Sequence, residues 1–253
     1  MKKIYTLKIV LFTLLLTLPL SAEKPQKNFF DNMNEFITDL ATYSKDSATV
    51  IATLITNPQE VSAVTASSPW TGHALAKHIQ PAAPQRIWEI GFGPGNVTRE
   101  IIKKKNAATK FDAVELLEPF YTTLVNELQP TLDAHTTLNL GAAQDWVPAD
   151  YKGEPLYDVI ISTVAFMTLP PEIAAQIMEK IVLYLKPGGT FSFITYALSR
   201  SIGHYKWEQH DRDAYKNKLE LFDAALLQHF TQQPTDFVFC NIPPTYIYHW
   251  VKK

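Results

Sequence analysis

The chain has 253 residues, 46% of them hydrophobic and 19% charged, which is enough apolar content to bury a full α/β core and too much for a disordered segment. A formal charge of −2 lacks the basic excess that a nucleic-acid binder carries, so nucleic acid is disfavoured as a partner. Cys240 is the single cysteine, which excludes an intrachain disulfide, and its place in an apolar run predicts a small buried core residue rather than a nucleophile.

Residues 1–22 read as a targeting segment rather than part of the fold. Lys2, Lys3 and Lys8 precede an uncharged stretch over residues 9–20, and Ser21-Ala22 then offers a small-residue cleavage site. The stretch falls short of the ~20 residues that span a bilayer, which favours a cleaved signal peptide over an uncleaved membrane anchor. In both cases the lysines hold the N-terminus on the cytoplasmic side and the domain is translocated, to a bacterial periplasm or the outer face of the inner membrane.

Residues 23–80 form an N-terminal helical segment. From Phe29 to Ile55 the apolar residues Met33, Phe36, Ile37, Leu40, Val50, Ile51, Leu54 and Ile55 recur at the spacing of an amphipathic helix or helix pair, an apolar face that either packs across the core domain or touches lipid. Asp31, Glu35, Asp39, Lys45 and Asp46 give that stretch a negative balance, the wrong sign for anionic lipid. Asn57-Pro58 breaks the helix, and Ser67-Ser68-Pro69 starts another, predicted over residues 70–79.

Residues 81–253 alternate strand and helix signals, the pattern of a doubly wound parallel sheet. Strands are predicted over residues 86–90, 110–116, 136–140, 157–162 and 190–196, with helices over 96–105, 119–128 and 171–185. The third helix is stopped by Lys186-Pro187-Gly188-Gly189. After a helix over 219–229, apolar runs at 237–240 and 246–251 flank the turn Asn241-Ile242-Pro243-Pro244 and predict an antiparallel hairpin at the sheet edge.

The first strand ends in Glu89-Ile90-Gly91-Phe92-Gly93-Pro94-Gly95, immediately before a helix. Alternate glycines let the backbone bend sharply and approach a ligand, and the helix N-terminus favours a carboxylate. Glu115 ends the second strand, about 20 residues further on, where an acid accepts hydrogen bonds from ribose hydroxyls. The dinucleotide fingerprint needs a third small residue at its sixth position, and Asn96 or Thr98 stands there, so NAD is disfavoured.

With that turn, Ala113-Val114-Glu115, the strand Asp158-Val159-Ile160-Ile161-Ser162 and the stop Leu185-Lys186-Pro187-Gly188-Gly189, the chain resembles class I S-adenosylmethionine-dependent methyltransferases. More narrowly, it resembles the bacterial phospholipid N-methyltransferases related to the ribosomal RNA adenine dimethyltransferases. Asn57-Pro58 with Ala63-Val64 and Ser67-Ser68, then Phe193-Ile194-Thr195-Tyr196, then Asn241-Ile242-Pro243-Pro244 carry that likeness, and the features together cover nearly all of residues 50–251.

The resemblance implies a Rossmann-like α/β fold: a mostly parallel seven-stranded sheet with a C-terminal antiparallel hairpin and an extra N-terminal helical segment. It implies S-adenosyl-L-methionine as cofactor, with its methionine at Gly91, Gly93 and Gly95, its amino group near Glu89 and its ribose on Glu115. Members of the family commonly place Gly-Asp-Ala after the third strand. This chain has Gly141-Ala142-Ala143-Gln144-Asp145, so Ala142 offers only a backbone amide at the adenine. Asp145, with Gln144 as alternative, is expected to take over; the competing reading of Asp145 is an exposed helix cap before Trp146.

On the acceptor side, Ser162 and Thr163 stand at the end of the fourth strand, where a group that orients or deprotonates an amine sits, and Ser162 also borders the cofactor. The RNA enzymes carry Asn/Asp-Pro-Pro-Tyr or Asn-Leu-Pro-Tyr there; this chain has Ser162-Thr163-Val164-Ala165-Phe166, which argues against adenine and leaves Phe166 as a stacking candidate. Tyr196, ending the fifth strand, either orients a headgroup or is an edge-of-core tyrosine. His204, Tyr205, Trp207, Glu208, His210 and Asp211 read as a substrate lid or a surface loop; the histidines lack metal-ligand spacing, and no metal is expected.

The expected reaction is methyl transfer to an amine, with a phospholipid headgroup such as phosphatidylethanolamine as acceptor, a membrane surface as partner and no partner protein. Protein, small-molecule or RNA acceptors, and a non-catalytic cofactor-binding module, are the alternatives. A cofactor made in the cytosol favours the cytoplasmic face, against the export signal. Intact-mass measurement after fractionation checks the N-terminus: cleavage gives a chain that begins at Glu23, anchoring a full-length chain in the membrane fraction.

Overall fold

A computed structural model describes residues 38, 41–47, 67–130, 132–166, 169–196, 209–241 and 243–253. The targeting segment 1–22, most of the helix expected over 29–55, Asn57-Pro58, Ala63-Val64 and the lid residues His204, Tyr205, Trp207 and Glu208 lie outside them. The chain divides into two units, Met1–Leu40 and Ala41–Lys253, and the sheet with its flanking helices belongs to the second.

The helix expected after Pro69 is α1 (Pro69–Leu75), continued by a short 3₁₀ turn, Ala76–His78. Its start follows the sequence signal: Ser68 Oγ accepts the Thr71 amide at 3.2 Å, and Pro69 stands in the first turn where no amide is needed. The alternation that follows is β1 (Arg86–Ile90), α2 (Asn96–Lys104), β2 (Lys110–Glu115), α3 (Glu118–Leu128), β3 (Thr136–Leu140), β4 (Tyr157–Ser162), α4 (Pro171–Tyr184) and β5 (Leu185–Tyr196). The chain ends with α5 (Gln209–His229), β6 (Phe230–Gln232), β7 (Asp236–Val238) and β8 (Thr245–Lys252).

The strands form one sheet in the order β3-β2-β1-β4-β5-β8-β6, with β7 also on β8. β1 to β5 pair in parallel, and β8 runs antiparallel to β5, β6 and β7. The sheet thus has eight strands where the sequence predicts seven; β6 is the addition, too short to show a period. β5 begins at Leu185 rather than 190, because the Pro-Gly-Gly stop is itself a bulge between the Tyr157↔Leu185 and Val159↔Thr190 pairs. The run 237–240 yields strand only to Val238. Phe239 and Cys240 turn out to solvent, so Cys240 is exposed, against the buried residue expected.

Alternation along the strands sends side chains to two apolar layers. Ile87, Phe111, Ala113, Val159, Ile161 and Ile194 face α1, α2 and α3, and Leu75, Ala76 and Ile79 join this layer from the α1 region. Trp88, Ile160, Phe191 and Phe193 face α4 and α5, against the helical stripe Ala174, Ile177, Met178 and Ile181 with Phe222 and Leu226. Helix-forming residues 41–47 are tied on through Arg99 of α2, which binds Asp46 at 3.1 Å and Glu127 of α3 at 2.9 Å. Among the described residues no helix is long and apolar enough to cross a membrane.

The α1 region is also pinned by a buried polar chain. His249 of β8 lies fully buried with Nδ1 2.8 Å from Ser192 Oγ and Nε2 3.1 Å from Asp236 Oδ2, and Lys77 Nζ reaches both Asp236 oxygens. With Asp236 ionised, the neutral imidazole donates from Nε2 and accepts the Ser192 hydroxyl at Nδ1. The His78 ring stands edge-on, 4.7 Å away. Burial lowers both imidazoles below their usual range; Asp236 opposes this, while Lys77 adds to it at both and Lys104 at His78. The unfolded chain therefore takes up protons first as pH falls below about 6.5, and this cluster's contribution to stability is lost in that direction. Glu89 and Glu115, raised by burial, act with the opposite sign, so the measurement must isolate the cluster. Thermal melts should give a stability difference between wild type and His249→Gln that is widest near pH 7.5 and narrows by pH 5.5.

Candidate active site

Strand order reverses between β1 and β4, and ligands of doubly wound sheets bind in the crevice outside the carboxyl ends of such strands. Ile90, Ser162 and Glu115 end the three strands concerned, so the glycine turn, Thr163 and Glu115 meet there.

The turn is shaped by what surrounds it. Gly91 donates its amide to Val114 O at 2.8 Å, and Gly95 closes the bend by donating to Phe92 O at 2.9 Å. Gly95 has φ +91°, and a side chain there would drive into Leu124 of α3, so this glycine is required by packing. Gly93 also has positive φ, +52°, but a Cβ there would meet nothing within 4 Å. Its bare backbone borders open space, as a close-approach position in a ligand turn does.

Both acids are buried. Glu115 Oε2 accepts the Gly93 amide at 2.7 Å and Oε1 the Leu117 amide at 2.9 Å, which ties the end of β2 to the turn. Burial raises this carboxyl above its usual range, and the backbone amides oppose the rise. A carboxylate accepts about four hydrogen bonds, so directions remain for hydroxyl donors. Glu89, fully buried, accepts the Thr98 hydroxyl at 2.8 Å on Oε2, while its Oε1 is buried with no hydrogen-bond partner among the described residues. A buried acceptor left without a partner two residues before the glycine turn is chemically suited to a cationic ligand group.

The acceptor-side residues divide. Thr163 donates its hydroxyl to Gly91 O and Ser162 Oγ accepts the Val164 amide at 3.2 Å, so both hydroxyls serve the backbone of the crevice. Ser162 is fully buried and Tyr196 is 9% exposed, its hydroxyl raised by burial and by Tyr43 of the 41–47 helix. Phe166 is a core residue rather than a stacking platform, packed on Phe191, Phe193 and Phe222 at 6.2, 5.9 and 5.1 Å. Ala142 and half-buried Gln144 lie in the turn after β3; Asp145 is exposed in the same turn and no helix follows it. His210 and Asp211 fall within α5.

Two features escaped the sequence reading. Asn241 Oδ1 accepts the Ser68 amide at 2.8 Å and the Thr71 hydroxyl at 3.1 Å, fastening the β7–β8 turn to the start of α1. Asn96, the residue after the glycine turn, donates to Ser67 O and accepts from Arg99 at 2.9 Å. The side chains involved are far apart in sequence, and only their polar, turn-forming character was visible.

The fold is that of the Rossmann-like class I methyltransferase structures. No protein-family model and no curated protein sequence matches the chain. Solved structures do: the N-methyltransferase NodS from Bradyrhizobium japonicum WM9, in complex with S-adenosyl-L-homocysteine, matches with a TM-score of 0.55 at 14% identity, over 83% of this chain and 98% of NodS. A candidate O-methyltransferase from Klebsiella pneumoniae matches with a TM-score of 0.56 at 16% identity, over 81% of this chain and 90% of that one. TrmN from Thermus thermophilus matches with 0.52 at 15% identity, over 74% of this chain and 49% of TrmN. Identities at this level establish the shared fold.

Alanine at the two glycines separates their roles. Gly95→Ala should destabilise the protein by about 2–4 kcal/mol, from steric overlap with Leu124 and left-handed strain. Gly93→Ala should cost only about 1–2 kcal/mol yet abolish ligand binding. Chemical denaturation and calorimetry with S-adenosylhomocysteine measure the two effects.

Proposed function

We propose that the chain is an S-adenosyl-L-methionine-dependent methyltransferase acting on an amine, with the headgroup of phosphatidylethanolamine as acceptor. The observation that carries the cofactor is the crevice with two differently held acids: Glu115 bonded to Gly93 with acceptor directions left over, and Glu89 with a buried, unpaired oxygen. NAD would place its pyrophosphate, not an ammonium, over this turn. The phospholipid acceptor rests on the short motifs around Asn57-Pro58, Phe193–Tyr196 and Asn241–Pro244 and on the apolar N-terminal stretch. Those same features support a membrane-side location, exported or anchored through residues 1–22.

The cofactor supplies a methyl group already activated on a sulfonium. What the protein adds is orientation, which is worth several kcal/mol in such a displacement. Glu89 pairs with the ammonium, the α2 N-terminus and glycine turn receive the carboxylate, and Glu115 holds the ribose. Backbone at Ala142, with Gln144 or Asp145, borders the adenine. Thr163 holds Gly91 in place through its carbonyl, and Ser162 steadies the strand exit, so both act as positioning residues. Tyr196 orients the acceptor amine, whose lone pair must be free of its proton before attack.

The test is incubation of the full-length chain with methyl-labelled cofactor and vesicles containing phosphatidylethanolamine. Label should appear in lipid; label in protein, RNA or a small molecule instead rejects the headgroup, and tight binding without transfer to any acceptor rejects the enzyme. Glu115→Gln should weaken cofactor binding about 10- to 100-fold, the loss expected from charge-assisted hydrogen bonds.

A further inference from the structure

Glu89, one residue before the end of β1, and Glu115, at the end of β2, stand on neighbouring strands, yet their surroundings differ in the one respect that decides ionisation. Glu115 is met by backbone amides on both oxygens. Glu89 has no exposure, lies between Ala113 of β2 and Ile161 of β4 across the sheet, and receives one hydroxyl, that of Thr98. Its Oε1 has no partner among the described residues. The charged groups acting on it are the Glu115 carboxylate, which repels its anion, and Arg99 of α2, which favours it but is already engaged by Asp46 and Glu127. An isolated buried carboxylate is too costly to persist, and such groups stay protonated instead.

We propose that Glu89 is a neutral carboxylic acid in the free protein and ionises when the ligand's ammonium enters, so that each binding event expels one proton. The inference rests on the cofactor crevice proposed above. In the step, the Glu89 O–H bond breaks, its electron pair stays on the carboxylate, the proton passes to solvent buffer, and the new anion pairs with the incoming ammonium. No redox change or co-reactant is involved. Burial first, with Glu115 adding and Thr98 opposing, pushes the Glu89 carboxyl up to about 8, which places the linkage in the neutral range. Affinity for ammonium-bearing ligands then weakens about tenfold for each pH unit below about 8. Ligands with the nucleoside but no ammonium bind with no such dependence.

Calorimetry on the full-length chain at pH 7.0 reads the proton directly. S-adenosylhomocysteine is titrated in phosphate, HEPES and Tris, buffers with different ionisation enthalpies, and the slope of observed heat against that enthalpy counts protons. The expected slope corresponds to about one proton released per ligand. Methylthioadenosine, which lacks the amino-acid end, should give a slope near zero. Glu89→Gln should remove the slope for S-adenosylhomocysteine while methylthioadenosine still binds, which shows that the crevice remains folded. Normal binding with heat independent of buffer overturns the proposal, as does an unchanged slope in Glu89→Gln. Absence of binding by both ligands overturns the cofactor reading itself, and the proposal with it.

Discussion

Glu115 accepting the amide of Gly93 is the contact on which the rest of the crevice depends. It joins the end of β2 to the turn that follows β1, and it does so through the one glycine of the turn whose missing side chain faces open space. The turn is held on its other side by Thr163, which reaches across from the end of β4 to Gly91. Three parallel strands thereby converge on a few residues of backbone, and the geometry of that backbone is set by sheet register rather than by a flexible loop. Sites built this way are preorganised, because the groups that meet a ligand are locked by contacts that exist without it.

The same end of the sheet is enclosed by elements from distant parts of the chain. Asn241 fastens the β7–β8 turn to α1, Asn96 fastens the start of α2 to Ser67, and Arg99 holds the 41–47 helix through Asp46. At the opposite end, Arg86 binds Asp112 and Asp150, Tyr157 donates to Asp112, and Lys186 binds Asp158. The two ends do different work. The ion pairs at the strand starts secure the sheet, while at the strand ends amides and hydroxyls, with the Arg99 ion pairs, fix positions around the crevice.

The fold was largely legible in the sequence because it is written in local periods. The alternation from Arg86 to Tyr196, the Ser68-Pro69 start of α1 and the Gly91–Gly95 turn are short-range patterns, and each appears where the pattern predicts. What the sequence did not reveal are pairings across long separations. Nothing near Asn241 in the chain announces Ser68, and nothing near His249 announces Ser192 and Asp236, yet these contacts pin α1. Phe166 and Cys240 depart from their sequence expectations for related reasons. An aromatic beside a strand end serves a core as readily as a ligand, and the apolar run at Cys240 continues past the end of β7 into an exposed turn.

Placing two acids in one crevice raises a physical problem that the structure answers asymmetrically. If both were ionised, each would be buried near a like charge; if both were neutral, neither would hold a cation. Backbone amides compensate the charge of Glu115, which needs no change of state to accept hydroxyls. Glu89 lacks that compensation: its Oε1 has no partner among the described residues, and a buried carboxyl so placed stays protonated until a cation stabilises its anion. Under the proposed function, the amides around Glu115 and the bare oxygen of Glu89 would give the neutral end of a ligand to one acid and its charged end to the other. In the proposed function that division would orient an adenosyl amino acid before any acceptor arrives, and it stems from where two backbone N–H groups point rather than from the identity of the acids, which are both glutamate.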